Sequence, residues 1–139
     1  MKVRIANSPR FRTDKQKRWL YCTTGLANYR FQGIKLPNCD IYHRNKLLGS
    51  VLHNTLTIYR GYAFDGMTHF PDTAANLPCA LLHDFLYQTA LISRLDADRA
   101  LRSCMETNGA DWRHIVYAGV RTFGWIFYGS EQNIRIIKA

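Results

Sequence analysis

Apolar and polar residues change rhythm near residue 60. Before it, short runs rich in β-branched and aromatic residues alternate with turn formers. Trp19–Thr23, Tyr29–Phe31, Ile41–His43 and Val51–Tyr59 read as strands. Gly25, Gly33, Pro37-Asn38 and Leu48-Gly49-Ser50 supply the breaks between them. A small antiparallel meander is the predicted arrangement. Residues 1–17 are basic, are broken at Ser8-Pro9, and read as an arm or an irregular first strand. Residues 61–76 read as an ordered loop, with turn signals at Asp65-Gly66 and Phe70-Pro71-Asp72 and with Tyr62 and Phe64 as apolar anchors.

After the loop the apolar spacing turns helical. The first predicted helix covers Pro78–Leu91, with Asn76 as N-cap and Pro78 in the first turn. Its spacing puts Cys79, His83 and Tyr87 on one face. The second starts at Ser93, where Ser93-Arg-Leu-Asp96 reads as a capping box, and runs to Asn108 with Gly109 as its stop. The link between them is short, so the two helices are predicted to lie antiparallel. The third, Asp111–Tyr128, is apolar almost all round and is expected to be buried in the bundle. Docking on a partner or a membrane surface is the alternative for it. Asn133–Ile137 reads as a final strand. The whole is one α+β domain over 1–139: a β-rich half (1–60), the loop (61–76), a three-helix core (77–129) and a tail (130–139).

Charge divides the chain at the same place. The net charge is +9. Residues 1–60 hold twelve Lys/Arg against two Asp/Glu, and residues 61–139 hold seven against eight. The basic half suits nucleic-acid phosphates, an anionic membrane surface or an acidic partner, with a solvated surface as the plain alternative. The N-terminus has no apolar signal core, and the run Ile115–Phe127 is short and interrupted by Arg121. A protein made in a cytoplasm, with no transmembrane segment, is expected. Cys22, Cys39, Cys79 and Cys104 show no CxxC spacing, so zinc is not indicated and thiols are the default.

The chemistry-bearing residues sit in the first two helices. A histidine takes a proton from water effectively when a carboxylate holds its other ring nitrogen. Asp84 leaves the helix on a different side from His83, whereas Asp98 on the facing helix is placed to pair with it. Asp84 is then placed to bind a cation, with oxygens from the Phe64–Thr68 loop (Phe64, Asp65, Gly66, Thr68) as further ligands of a calcium type. Such an ion and a His-activated water would form a hydrolytic apparatus. The alternative is that His83 is a packed, hydrogen-bonded core residue. A metal site using the upstream His69 is a third arrangement, with poor spacing.

The run Cys79-Ala-Leu-Leu-His83-Asp84-Phe-Leu-Tyr87 resembles the Cys-Cys-x-x-His-Asp-x-Cys-Tyr helix of the secreted phospholipase A2 superfamily. Ala80 and Leu86 stand where that pattern has its other cysteines. Asp98-Arg99 followed by Cys104 resembles the family's second helix. The resemblance implies that Cys79 and Cys104 lie close together, bonded or not. It also implies that His83 and Asp98 form a dyad braced by Tyr87, and that a calcium loop precedes the helix. Phe64-Asp-Gly-Met-Thr68 and Pro71 occupy that place with most of the family's glycines missing. A wider resemblance, over residues 58–128, is to short phage and prophage proteins. Gly61-Tyr-Ala-Phe-Asp65-Gly-Met-Thr68, Leu82-His-Asp-Phe-Leu-Tyr87, Arg94-Leu-Asp-Ala-Asp98 and Val120-Arg-Thr-Phe-Gly124 carry it. It implies a bacteriophage product made in the host bacterial cytoplasm. Such a product would be a virion tail, neck or head component or a host-takeover factor, partnered by other virion proteins or a host protein. Two functions are therefore expected: a phage structural or accessory protein on a phospholipase A2-like helix pair, or a calcium-dependent phospholipid or ester hydrolase.

Overall fold

The computed structural model describes residues 1–13, 21–64, 66, 73–131 and 133–139. It shows an antiparallel β-region followed by three helices, an α+β fold. The strands are β1 (Lys2–Asn7), β2 (Phe11–Thr13), β3 (Tyr21–Thr23), β4 (Ala27–Gln32), β5 (Cys39–His43), β6 (Lys46–Leu52), β7 (Thr55–Ile58), β8 (Ala63–Phe64) and β9 (Ile134–Lys138). Six form one sheet in the order β1-β4-β7-β6-β5-β9. Only β5-β6-β7 runs as a meander; β4 returns beside β7, and the tail strand β9 adds to β5.

The predicted strand Val51–Tyr59 is two strands. His53 and Asn54 both adopt positive φ, 49° and 58°, the conformation of a two-residue hairpin turn. The turn sets Val51 opposite Leu56, so inward apolar residues continue on both arms and the break does not show in the periodicity. Asn54 then ties the hairpin down: its amide donates to the Ile34 carbonyl at 2.7 Å, and its side-chain oxygen accepts from Leu36 N at 2.8 Å.

Conversely, Leu48-Gly49-Ser50 is no break but the middle of β6. A Cβ on Gly49 would lie 2.6 Å from Thr57 O and 2.8 Å from the ring of buried Phe85. The glycine is the seat on which the first helix lands. Gly49→Ala is expected to cost about 1–3 kcal/mol by overpacking. Urea denaturation should show a lower midpoint with an unchanged slope.

The helices are α1 (Leu77–Thr89), α2 (Arg94–Thr107) and α3 (Arg113–Phe123), the last continued by a 3-10 turn over Gly124–Ile126. The inward face of the sheet, with Val3, Tyr29, Phe31, Ile41, Leu56 and Ile58, shares one core with Leu81, Leu82, Phe85 and Leu86 of α1. Tyr29 donates its hydroxyl to the Pro78 carbonyl at 2.6 Å, tying sheet to helix. α2 covers the edge strand β1: Val3 N donates to Ser103 Oγ at 2.8 Å, and Thr107 Oγ1 donates to Val3 O at 2.5 Å. These two bonds satisfy the outward backbone groups of Val3 on that edge.

The caps divide. Ser93 accepts from Asp96 N at 3.1 Å, as its position predicts, and Gly109 ends α2 with φ +68°. Asn76 precedes α1 but makes no side-chain cap; the entry is held by Thr73, whose Oγ1 accepts from Asn76 N at 3.0 Å. The larger correction concerns α3. Val116 is its one buried residue; Ile115 and Phe123 face solvent, as do Trp125, Ile126 and Phe127 beyond it. The helix lies against the edge of the α1–α2 pair, so one arc of it is covered and the rest is left open.

Candidate functional site

α1 and α2 meet in antiparallel register. Cys79 faces Cys104 in a disulfide with Cα atoms 5.6 Å apart, and one turn further along α1, His83 faces Asp98. This pair departs from the default thiol expectation because the two backbones approach within bridging distance. Cys22 and Cys39 are free.

Asp98 is wholly buried and is the hub of the site. Its Oδ1 accepts from His83 Nε2 at 2.8 Å and from the Tyr87 hydroxyl at 2.5 Å. Its Oδ2 accepts from Arg121 Nη1 at 2.9 Å, with Arg94 Nη1 at 3.7 Å. Donors therefore arrive from α1 and α3, and the charge of Arg94 stands beside them on α2. Burial alone would raise the carboxyl, but the hydrogen bonds of His83 and Tyr87, the charge of His83 and the Arg121 bond outweigh it. The pKa of Asp98 is held below the ordinary carboxylate range. The Tyr87 hydroxyl is pushed above its usual value, first by burial and then by its bond to Asp98 and the charge there, with Arg94 opposing. It remains a donor at any neutral pH.

The helices are locked round this carboxylate. Arg94 also donates to the Val120 and Arg121 carbonyls at 3.1 and 3.3 Å, satisfying the C-terminal turn of α3. Gly124 lets that turn close down: a Cβ there would overlap the Tyr87 hydroxyl. Tyr128 completes the enclosure, its ring edge-on to Tyr87 at 5.5 Å.

Residues 56–120 match the DUF1353 family, proteins of unknown function. No curated protein and no solved structure matches the chain. The DUF1353 match runs from β7 into α3. It takes in His83, Tyr87, Arg94 and Asp98, and ends just short of Arg121.

His83, Tyr87 and Asp98 are brought together, and the expected Cys79–Cys104 proximity is present. Since Asp98 can only accept, Nε2 of His83 carries the proton. Nδ1 makes no hydrogen bond with any described residue, and His83 is 7% exposed. Asp84 is half-buried on another side of α1. Of the loop residues expected as calcium ligands, Phe64 and Gly66 are buried, whereas Asp65 and Thr68 lie outside the described residues, as does His69. Phe64 is fixed by aromatic contact with Phe11 and Tyr21, ring centroids 5.3 and 5.6 Å away. Among the described residues no three His, Cys, Asp or Glu side chains converge as a metal site.

No sequence motif assigns Arg94 or Arg121 a place beside Asp98. Arg94 was findable, because it stands four residues before Asp98 on one helix, where an ion pair forms. Arg121 was not: it comes from a separate helix whose apolar surroundings suggest burial rather than an ion pair.

Proposed function

We propose that this chain is a phage-encoded structural or accessory protein that works by presenting surfaces on a rigid frame. The observation that supports it best is the saturation of Asp98. A carboxylate that sharpens a histidine as a base does so with its negative charge. Here a guanidinium occupies the second oxygen and a second guanidinium stands behind it. Such a network, with its acceptors filled, joins three helices and specifies their packing.

The basic half supplies one presented surface. Lys2, Arg4 and Arg30 are exposed on β1 and β4, and Arg4 stands directly opposite Arg30. Opposed like charges disfavour the sheet and are relieved by an anionic partner. A virion or host protein with an acidic face fits, as does a nucleic-acid backbone. The two are separated by titrating salt against duplex DNA binding. A steep fall in affinity is expected for phosphate contacts, and a flat response removes nucleic acid and leaves an acidic protein.

The Nδ1 of His83, which bonds no described residue, favours a second reading, a calcium-dependent phospholipid or ester hydrolase. His83 would take a proton from water at Nδ1, Asp98 would orient it through Nε2, and Tyr87 would brace Asp98. Asp84 with loop carbonyls would hold calcium, which would polarise the ester carbonyl. The deciding experiment is lipid-ester hydrolysis with and without calcium, comparing wild type with His83→Ala. No product in any arm is the expected result. Product that needs both calcium and His83 would overturn the scaffold reading.

A further inference from the structure

The outward arc of α3 and its 3-10 continuation is apolar where a surface helix is normally polar. Trp112, Ile115, Phe123, Trp125, Ile126 and Phe127 are 54% to 67% exposed. Trp112, Ile115, Gly119, Phe123 and Ile126 recur at intervals of three and four, which places them in one stripe. An added Cβ at Gly119 would meet nothing within 4 Å, so the stripe is open along its length. A contiguous exposed apolar surface of this kind marks an interaction site.

Charge says what covers it. Between Trp112 and Ser130 the sequence holds no Asp or Glu, with Asp111 just before it, while Arg113 and His114 lie within the segment and Arg121 is already paired with Asp98. Arg102, half-buried, stacks on Tyr117 4.0 Å from the ring centroid, and adds a cation on the flank of α3. Docking a second copy would bring two chains of net charge +9 together. An anionic bilayer surface meets the same pattern favourably: Trp and Phe enter the headgroup boundary while cations meet lipid phosphates. No described helix is long and apolar enough to cross a membrane, and α3 has 11 residues, so the contact is interfacial.

We propose that the aromatic outer face of α3 and its 3-10 turn docks in the headgroup region of an anionic lipid bilayer. This inference rests on the exposed apolar side chains of α3 and its 3-10 turn and not on the His83–Asp98 contact, so the hydrolysis assay and the test below fail independently.

The test is co-sedimentation of the full chain with vesicles of phosphatidylcholine alone or mixed with phosphatidylglycerol, alongside sedimentation velocity without lipid. Binding to the anionic vesicles is expected at least tenfold tighter than to neutral ones, with a blue shift of tryptophan emission. Trp125→Ser/Phe127→Ser, both exposed, should lower anionic-vesicle binding at least tenfold with the thermal midpoint unchanged. Equal affinity for neutral vesicles, or anionic binding untouched by the double variant, overturns the proposal. So does the absence of vesicle binding, and so does a dimer without lipid that the double variant dissolves, which would assign the face to a second copy.

Discussion

Asp98→Ala is expected to destabilise the protein by about 3–5 kcal/mol, the cost of stranding buried partners of a removed charge. A domain of this size has a total stability of about 5–15 kcal/mol, so the variant should be close to unfolding. Three donors lose their acceptor together, His83, Tyr87 and Arg121, and Arg94 loses the charge it stands beside. Two of these groups are guanidiniums that remain charged without Asp98, which makes the loss larger than that of a neutral hydrogen bond. Asp98→Asn keeps the shape and one acceptor oxygen, and should cost less than the alanine. The pH dependence follows from the depressed carboxyl. A group whose folded pKa lies below its unfolded value, about 3.9, contributes its stability above that value. The contribution is lost as pH falls through the folded pKa. Wild type should therefore lose stability below about pH 4, and Asp98→Asn should lack this part of the acid limb. Urea midpoints measured from pH 3 to 7 for the three proteins check both statements. An alanine variant as stable as wild type would mean that the hub is not what joins the helices.

The helix pair was legible because its signals are local. Ser93 with Asp96, Gly109, and the spacing of Cys79, His83 and Tyr87 each act within two turns of one helix. The antiparallel pairing then followed from a short link, and it placed His83 against Asp98. What stayed hidden was set by tertiary contact. Gly49 reads as a break until Phe85 is known to land on it. His53-Asn54 is a turn in sequence terms, but the flanking residues keep an apolar alternation that masks it. α3 reads as a core helix because composition reports how apolar a helix is, not how much of it the neighbours cover. Of α3 only Val116 is buried, while Ile115 and Phe123 stay exposed. That same mismatch is what points to a docking face. Arg121 escaped for a related reason: its partner lies 23 residues earlier on another helix, and no local pattern links the two.

Removing the Cys79–Cys104 bridge is expected to cost about 3.5 kcal/mol, from the chain-entropy relation for a loop of 25 residues. At about 4 °C per kcal/mol for a domain of this length, the thermal midpoint should fall by about 10–15 °C. Both cysteines are fully buried, so Cys79→Ala/Cys104→Ala is a cleaner comparison than a reductant, which must wait for the fold to open. The bridge lies one turn of α1, about 6 Å, from His83. At that distance two native contacts normally couple. The entropic account makes a different statement: the bridge acts by restricting the unfolded chain, and so it should be indifferent to the Asp98 network. Combining the double cysteine variant with Asp98→Asn decides between them. Losses that add within about 0.5 kcal/mol place the effect in the unfolded state. A combined loss well short of the sum means that bridge and network hold the same helix contact, and that losing either one already loosens His83 from its partner helix. The additive outcome is expected, because the bridge spans one end of the helix pair while Asp98 ties its other end to α3.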